Sequence, residues 1–414
     1  MRRETVPQDQ IVPAAGLRRR LGLPLLVLYG TGVTVGAGIY VLIGAVAGHA
    51  GTYSSWAFAL AAGVMALTAA SYAELATRYP VSAGEAAYVR AAFDSRFLSK
   101  AVGSLRLAIG VISAAAVTLG GAGYISQLVA PPTPLTAVAI VATLGVVAAW
   151  GILESVMLAG LLTLIETGGL VWIIASAAHS GISFSPALFA PPPLDTDVLS
   201  GITFASLLAF FAFVGFEDLA NVVEEAKSPQ RNIPWAMALT LLITTVLYVL
   251  IAAISVTAVP PSILATSTAP LSLVFAAVAG ISPATFSVIA IVSTLNTVLA
   301  QMTMTARVVY GMAQQGDLPG IAGRVHSQTG TPLIATGLVM LAVATLALTF
   351  PLEPLAESTS LATLSMFAFV NLSLLRIRTR HPRSETAVVR VPLWIPLLGL
   401  ITCLLIMGTA LFTP

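Results

Sequence analysis

Long apolar runs alternate with short polar segments along the whole chain. A membrane helix needs about 20 mostly apolar residues. Runs of that order occupy residues 24–48, 54–79, 98–129, 134–151, 155–178, 198–222, 233–259, 283–316, 331–350, 354–377 and 392–412. The pattern predicts an all-α membrane protein with about eleven transmembrane helices. The third and eighth runs are long enough to tilt strongly or to run past the membrane surface. A shorter apolar stretch, 268–280, predicts a helix lying on the surface before span eight. The longest polar stretches are the N-terminal twenty residues and the loops, so no separate soluble domain is expected.

Composition sharpens this picture. The chain is 57% hydrophobic and 9% charged, against about 25% charged in an average soluble protein, so its solvent is lipid. Arg18, Arg19 and Arg20 precede the first run as the basic region of a signal peptide does. That run, to about Gly48, is too long for a signal peptide's apolar core, and ten further spans follow it. With Cys403 as the single cysteine, no disulfide framework is possible. The net charge of +2 says little, but its placement says more. With the N-terminus inside and the spans alternating, all 19 lysines and arginines fall on the inner side, counting Arg106 and Arg307 as inner helix ends. The outer loops 179–197 and 259–282 carry none. The positive-inside rule thus predicts a cytoplasmic tail over 1–20 and an outer C-terminus, in the plasma (inner) membrane.

Two runs make poor continuous helices. Span one holds Gly30, Gly32, Gly36, Gly38 and Gly44, and each weakens a helix interior by about 1 kcal/mol relative to alanine. In span six, Phe210-Phe211-Ala212-Phe213-Val214-Gly215-Phe216-Glu217-Asp218 interrupts the apolar pattern with aromatics, a glycine and two acids. Gly32/Gly36 and Gly44/Gly48 also fit close helix packing. The spacing of the two breaks, five spans apart, favours a different reading. Interrupted segments at corresponding positions of two halves point to a transporter binding site, here with repeats over 21–180 and 198–377 and an additional span over 391–414. A broken helix exposes N–H groups at one half-helix start and carbonyls at the other half's end. The first suit a carboxylate and the second an ammonium, and an amino acid has both.

Four motifs occur in order on the same predicted side. They are Val35-Gly36-Ala37-Gly38-Ile39-Tyr40; Tyr72-Ala73-Glu74-Leu75 with Tyr79-Pro80-Val81-Ser82-Ala83-Gly84-Glu85; Gly215-Phe216-Glu217 with Glu224-Glu225-Ala226-Lys227-Ser228-Pro229-Gln230-Arg231-Asn232-Ile233-Pro234; and Tyr310-Gly311-Met312-Ala313 with Gly316-Asp317-Leu318-Pro319. Together they resemble the amino acid–polyamine–organocation superfamily, near its cationic amino acid transporter branch, over nearly the whole chain. The resemblance implies the five-plus-five inverted-repeat fold, with substrate held mid-membrane between Thr34, Val35, Gly36, Ala37 and Gly38 of span one and Phe210, Phe211, Ala212, Phe213, Val214 and Gly215 of span six. It implies that the amides of Ala37 and Gly38 hold the substrate carboxylate. The carbonyls of Thr34, Phe211, Ala212 and Val214 would hold its ammonium, and Phe210 or Phe213 would close over it. Two departures stand out. Many members have twelve spans. Some proton-coupled members also place a lysine in span five, where this chain reads Leu164-Ile165-Glu166-Thr167-Gly168-Gly169.

An ionisable group inside a span is by default a functional candidate, because charge there is costly. Glu166 is therefore expected to be the coupling site, loading a proton from outside and releasing it inside, near the span-one break and near Ser293 and Thr294. A structural carboxylic acid, or a sodium site made of Glu166, Ser293 and Thr294, are the alternatives. Glu217 and Asp218 would brace the second half-helix, since acids favour a helix N-terminus, or select cationic side chains. Glu74, Arg78, Glu224, Glu225, Lys227 and Arg231 form either a cytoplasmic gate of ion pairs or a solvated rim, where exposed pairs contribute about 0–1 kcal/mol. Ser113, Asn296, Gln301, Ser358, Thr359 and Ser360 could touch a substrate side chain, or simply hydrogen-bond across helices.

Other classes find little support. His49, His179, His326 and His381 are scattered at span ends or in loops, and there is no H-E-x-x-H or G-x-S-x-G. No phosphate loop is present, and nothing suggests a nucleic-acid partner. A channel has no need of two broken helices. The expected function is secondary active transport of amino acids, as proton symport. An exchanger, a polyamine-type carrier or a nutrient sensor on a transporter scaffold are the alternatives. Beyond the substrate and the bilayer no partner is implied, and the oligomeric state is not legible.

Overall fold

The computed structural model describes residues 19–80, 84–129, 131–150, 156–184, 188, 190–380 and 389–410. Most of the predicted tail, Val81 to Ala83, His381 and Arg383 lie outside them. The described residues are helical almost throughout. Among the described residues, eight helical stretches are long and apolar enough to cross a membrane, and shorter apolar helices accompany them.

The first run is two helices, α1 (Leu23–Val35) and α2 (Gly38–Ala50). There follow α3 (Ser54–Arg78), a short α4 (Gly84–Phe93), α5 (Arg96–Ser126), α6 (Thr133–Trp150) and α7 (Val156–His179). The second half holds α8 (Thr196–Phe213), α9 (Pro229–Ala258), the short α10 (Pro261–Thr266) and α11 (Pro270–Ala279), then α12 (Pro283–Gln314), α13 (Leu333–Thr349), α14 (Leu352–Arg380) and α15 (Trp394–Ala410). Local chemistry sets many ends. Proline opens α9, α10, α11 and α12, where its missing N–H costs nothing. Ser95 and Asp195 cap α5 and α8 by accepting from Leu98 N–H and Asp197 N–H.

The interior is largely apolar, and so is much of the outer surface. Leu135, Trp150, Leu164, Trp235, Leu341 and Leu405 are exposed, whereas Glu74, Glu166, Glu217 and Asn371 are fully buried. Exposed apolar area on this scale is what lipid covers. Small residues let the central helices approach: a Cβ at Gly110 of α5 would stand 2.0 Å from Thr305 Oγ1 of α12, and one at Gly121 would stand 3.0 Å from Thr294 Oγ1. Asn371 of α14 donates to Thr68 Oγ1 and accepts from Ser71 Oγ of α3, and Gly399 of α15 packs against it.

The stretch 268–280, expected as a surface helix, holds the helix α11, which packs one face on the bundle. Within α11, Leu271, Val274, Phe275 and Val278 form one apolar stripe and are buried, with Phe275 stacked on Phe286 of α12 and edge-on to Trp172 of α7. With α10, whose Leu264 carbonyl abuts Gly44, it caps one end of the bundle. Span six, in turn, is not resumed as an α-helix after its break. Phe216–Ala220 and Val223–Glu225 are 3-10 turns, so Glu217 and Asp218 have no α-helical second half to cap.

The basic residues collect at one end of the bundle. Arg376 and Arg380 of α14 donate to Ala92 O of α4, and Lys100 of α5 pairs with Asp317 after α12 at 2.6 Å. Leu21, ahead of α1, exchanges backbone hydrogen bonds with Glu225 and Lys227.

Candidate functional site

The two helix breaks face each other. α1 ends at Val35, Gly36 and Ala37 form a turn, and α2 begins at Gly38. α8 ends at Phe213; Val214 is extended, and Gly215 has φ +126°, a conformation that favours glycine. A Cβ at Gly215 would also stand 2.8 Å from Val33 O, and one at Gly38 would stand 2.5 Å from Ala212 Cα. The glycines at both breaks are thus required by close backbone approach. The breaks leave main-chain polar groups without helical partners.

Neighbouring side chains take up several of these groups. Tyr248 of α9 lies within hydrogen-bond distance of both Thr34 O (2.8 Å) and Ala212 O (2.9 Å). A hydroxyl has one proton, so it serves one carbonyl at a time. Thr297 Oγ1 of α12 accepts from Ala37 N–H at 3.0 Å, and Ser293 Oγ donates to Gly36 O at 3.2 Å. The residues between the breaks, with Ser113 and Val117 of α5 and Thr297 and Gln301 of α12, enclose a cavity of about 20 Å³. That admits a water, which needs about 10–15 Å³, and not an amino acid.

The predicted binding residues divide. Thr34, Gly36, Ala37, Gly38, Phe211, Ala212 and Val214 border the cavity. Val35, Phe210, Phe213 and Gly215 stand behind them. Phe210 and Phe213, three residues apart on one helical face, turn from the cavity: Phe210 packs edge-on against Phe367, and Phe213 packs edge-on against Tyr248 and tilted against Phe58. The aromatic residue at the cavity is Phe211.

Glu166 lies on α7, beside the first break. α1 meets α7 where a Cβ at Gly32 would clash with Thr163, and Gly169 lies against Tyr40 Oη of α2. Tyr40 donates to the Glu166 carbonyl at 2.5 Å. Asn296 Nδ2 of α12 donates to Glu166 Oε1 at 2.9 Å, while Oε2 is buried with no hydrogen-bond partner. Ser293, Asn296 and Thr297 share one face of α12, so a single helical stripe touches both Glu166 and the break. Thr294 belongs to another face; its hydroxyl donates to Ile291 O and its side chain lies against Gly121.

At the basic end the predicted cluster separates into two parts. Glu74 is fully buried and accepts from Arg78, from Arg378 of α14 and from Val391 N–H. Glu225 and Lys227 act through their backbones, in the pairing with Leu21. Arg231 N–H donates to Ser228 O, and Glu224 follows Val223 in its 3-10 turn. A third arrangement was not foreseen. Arg106 of α5 pairs with Glu217 at 3.1 Å and also with Asp218. Glu217 Oε2 accepts from Gly215 N–H, and Asp218 from Asn221. Both acids are therefore engaged in bracing the segment after the second break and do not border the cavity. An arginine within a long apolar run was the available signal. Tyr248 and Thr297, common residues in apolar runs, gave none.

The chain is similar to known proteins over nearly its whole length. A family of amino acid permeases matches residues 21–414. The branched-chain amino acid permease BcaP of Bacillus subtilis is 28% identical over 409 residues, covering 91% of this chain and 85% of that protein. An uncharacterized transporter of Mycobacterium tuberculosis is 32% identical, covering 98% and 89%. The vacuolar cationic amino acid transporter 2 of Arabidopsis thaliana is 29% identical over 92% of this chain, which spans 64% of that protein.

Proposed function

This chain belongs to the amino acid permease family of the amino acid–polyamine–organocation superfamily, and on that premise we propose that it is a secondary active transporter that carries amino acids across the plasma membrane by proton symport through Glu166. It is an integral membrane transporter and not an enzyme. The observation that carries the substrate class is the pair of facing breaks around a cavity bordered by main-chain polar groups of both. The start of α2 offers amides at Ala37 and Gly38 for a carboxylate, favoured there by the helix dipole. The carbonyls of Thr34, Phe211, Ala212 and Val214 offer acceptors for an ammonium, and Tyr248 can satisfy only one of Thr34 and Ala212 at once. On loading, Thr297 releases the Ala37 amide to the carboxylate. The relatives' printed names, a branched-chain amino acid permease and a cationic amino acid transporter, support an amino acid as cargo.

The same reading takes residues 21–180 and 198–377 as two inverted repeats, with 391–414 as an added span. Each repeat begins with a broken span. The basic end, with the N-terminus, then faces the cytoplasm. Release there requires parting the backbone pairing of Leu21 with Glu225 and Lys227, together with the Arg106 and Glu74 networks.

Glu166 supports proton coupling through its position. It is buried, one of its oxygens has no partner, and Asn296 joins it to the stripe that holds the first break. A proton gained or lost at Glu166 changes the hydrogen bond to Asn296, next to Thr297. Proteoliposome uptake of labelled amino acids, with and without an inward proton gradient, tests this. Glu166→Gln is expected to keep counterflow exchange while losing proton-driven accumulation. A Glu166→Gln protein that still concentrates substrate against its gradient refutes the coupling role.

A further inference from the structure

Gln301 stands on α12 one turn beyond Thr297, and both border the cavity between the breaks. Its Oε1 is buried without a hydrogen-bond partner. Thr297, by contrast, is used twice, accepting from Ala37 N–H and donating to Ser293 O. A buried amide oxygen left unpaired is costly, and a turn of the Gln301 side chain, which borders the cavity, would present that acceptor to a donor on the ligand.

The layout of the cavity says which part of the ligand meets it. The two breaks form one wall, and their main-chain groups suit the ammonium and carboxylate that every amino acid shares. Outside the two breaks the cavity is bordered by Ser113 and Val117 of α5 and by Thr297 and Gln301 of α12. With the shared groups held at the breaks, these side chains are what the α-carbon's variable substituent meets. Among the described residues neither an acidic nor a basic one borders the cavity, and the acids Glu217 and Asp218 are held by Arg106. A lysine or arginine side chain would meet no counter-ion there, and burying an unpaired charge is far costlier than burying a hydroxyl or an amide.

We infer that Gln301 is a specificity-determining residue that accepts a hydrogen bond from the substrate's side chain, so the preferred cargo is a neutral amino acid carrying a hydroxyl or amide donor: serine, threonine, asparagine or glutamine. The inference rests on the amino acid reading of this same site. Its sharpest probe is threonine against valine, which differ by a hydroxyl in place of a methyl. A site that hydrogen-bonds a substrate group rejects the analogue lacking it much more strongly than an apolar pocket discriminates by shape.

The experiment is competition by unlabelled amino acids against counterflow uptake of a labelled one in proteoliposomes. The native protein is expected to prefer threonine over valine by at least tenfold. Gln301→Leu, and Gln301→Met as a second variant closer in shape, should bring the two affinities within about twofold of each other. Gln301→Glu should admit lysine, by placing a carboxylate where none stands. A native threonine-to-valine ratio near one, or a ratio unchanged in both apolar variants, overturns the inference while leaving amino acid transport intact. Failure of the native protein to exchange any amino acid removes the transport reading itself, and this inference with it.

Discussion

Gly38→Ala is the smallest perturbation that tests whether the facing breaks form the working site. The added methyl would stand 2.5 Å from Ala212 Cα, 3.1 Å from its Cβ and 3.3 Å from its N. Non-bonded carbons settle at about 3.5–4.0 Å, so the start of α2 and the end of α8 must part by about 1 Å. Backbone lies on the far side, so no flexible side chain can swing away. Overpacking of this kind costs about 1–3 kcal/mol. The functional effect should be larger, because the amides at Gly38 and the carbonyls at Phe211 and Ala212 move apart together. A misplacement of about 1 Å at a site can cost about 100-fold. Gly63→Ala is the control: nothing stands within 4 Å of a Cβ there, and alanine in a helix interior is favoured over glycine by about 0.5–1 kcal/mol. Initial uptake rates in proteoliposomes and thermal unfolding in detergent are measured for both variants. The expected result is a Gly38→Ala protein that stays folded with transport reduced about 100-fold, beside a fully active Gly63→Ala protein. Native transport rates with Gly38→Ala would refute the placement of the site at this contact.

Two further perturbations test the groups around it. Tyr248→Phe removes the donor shared by Thr34 O and Ala212 O and should lower stability by about 1–3 kcal/mol; an unchanged unfolding midpoint would show that the hydroxyl is dispensable. Arg106→Leu leaves Glu217 and Asp218 buried and uncompensated and should cost about 3–5 kcal/mol, with much of the loss recovered when Glu217→Gln and Asp218→Asn are added. A single variant as stable as the native protein, read by thermal unfolding, would mean that the pair does not brace the second break.

The membrane class of this protein is a property of its sequence alone. The eleven apolar runs each hold helix, because in lipid every backbone polar group must be satisfied within its own segment. Such helices depend on local composition more than on distant partners. The break at Gly36-Ala37 and the one after Phe213 were legible for the same reason, as glycine and polar residues interrupt a local pattern. Which residues meet across the bundle is a different kind of fact, fixed by helix rotation and by which small residues permit close approach. That Phe211 and not Phe210 or Phe213 borders the cavity follows from the rotation of α8 against α2, set by the contact of Gly38 with Ala212. The pairing of Arg106 with Glu217 and Asp218, more than a hundred residues away, exists only because α5 crosses the end of span six. The partners of α11, Trp172 of α7 and Phe286 of α12, were likewise invisible, since a ten-residue apolar stretch does not name what its buried face meets. Helices and their interruptions were written in nearest neighbours along the chain; the chemistry of the site came from neighbours in space.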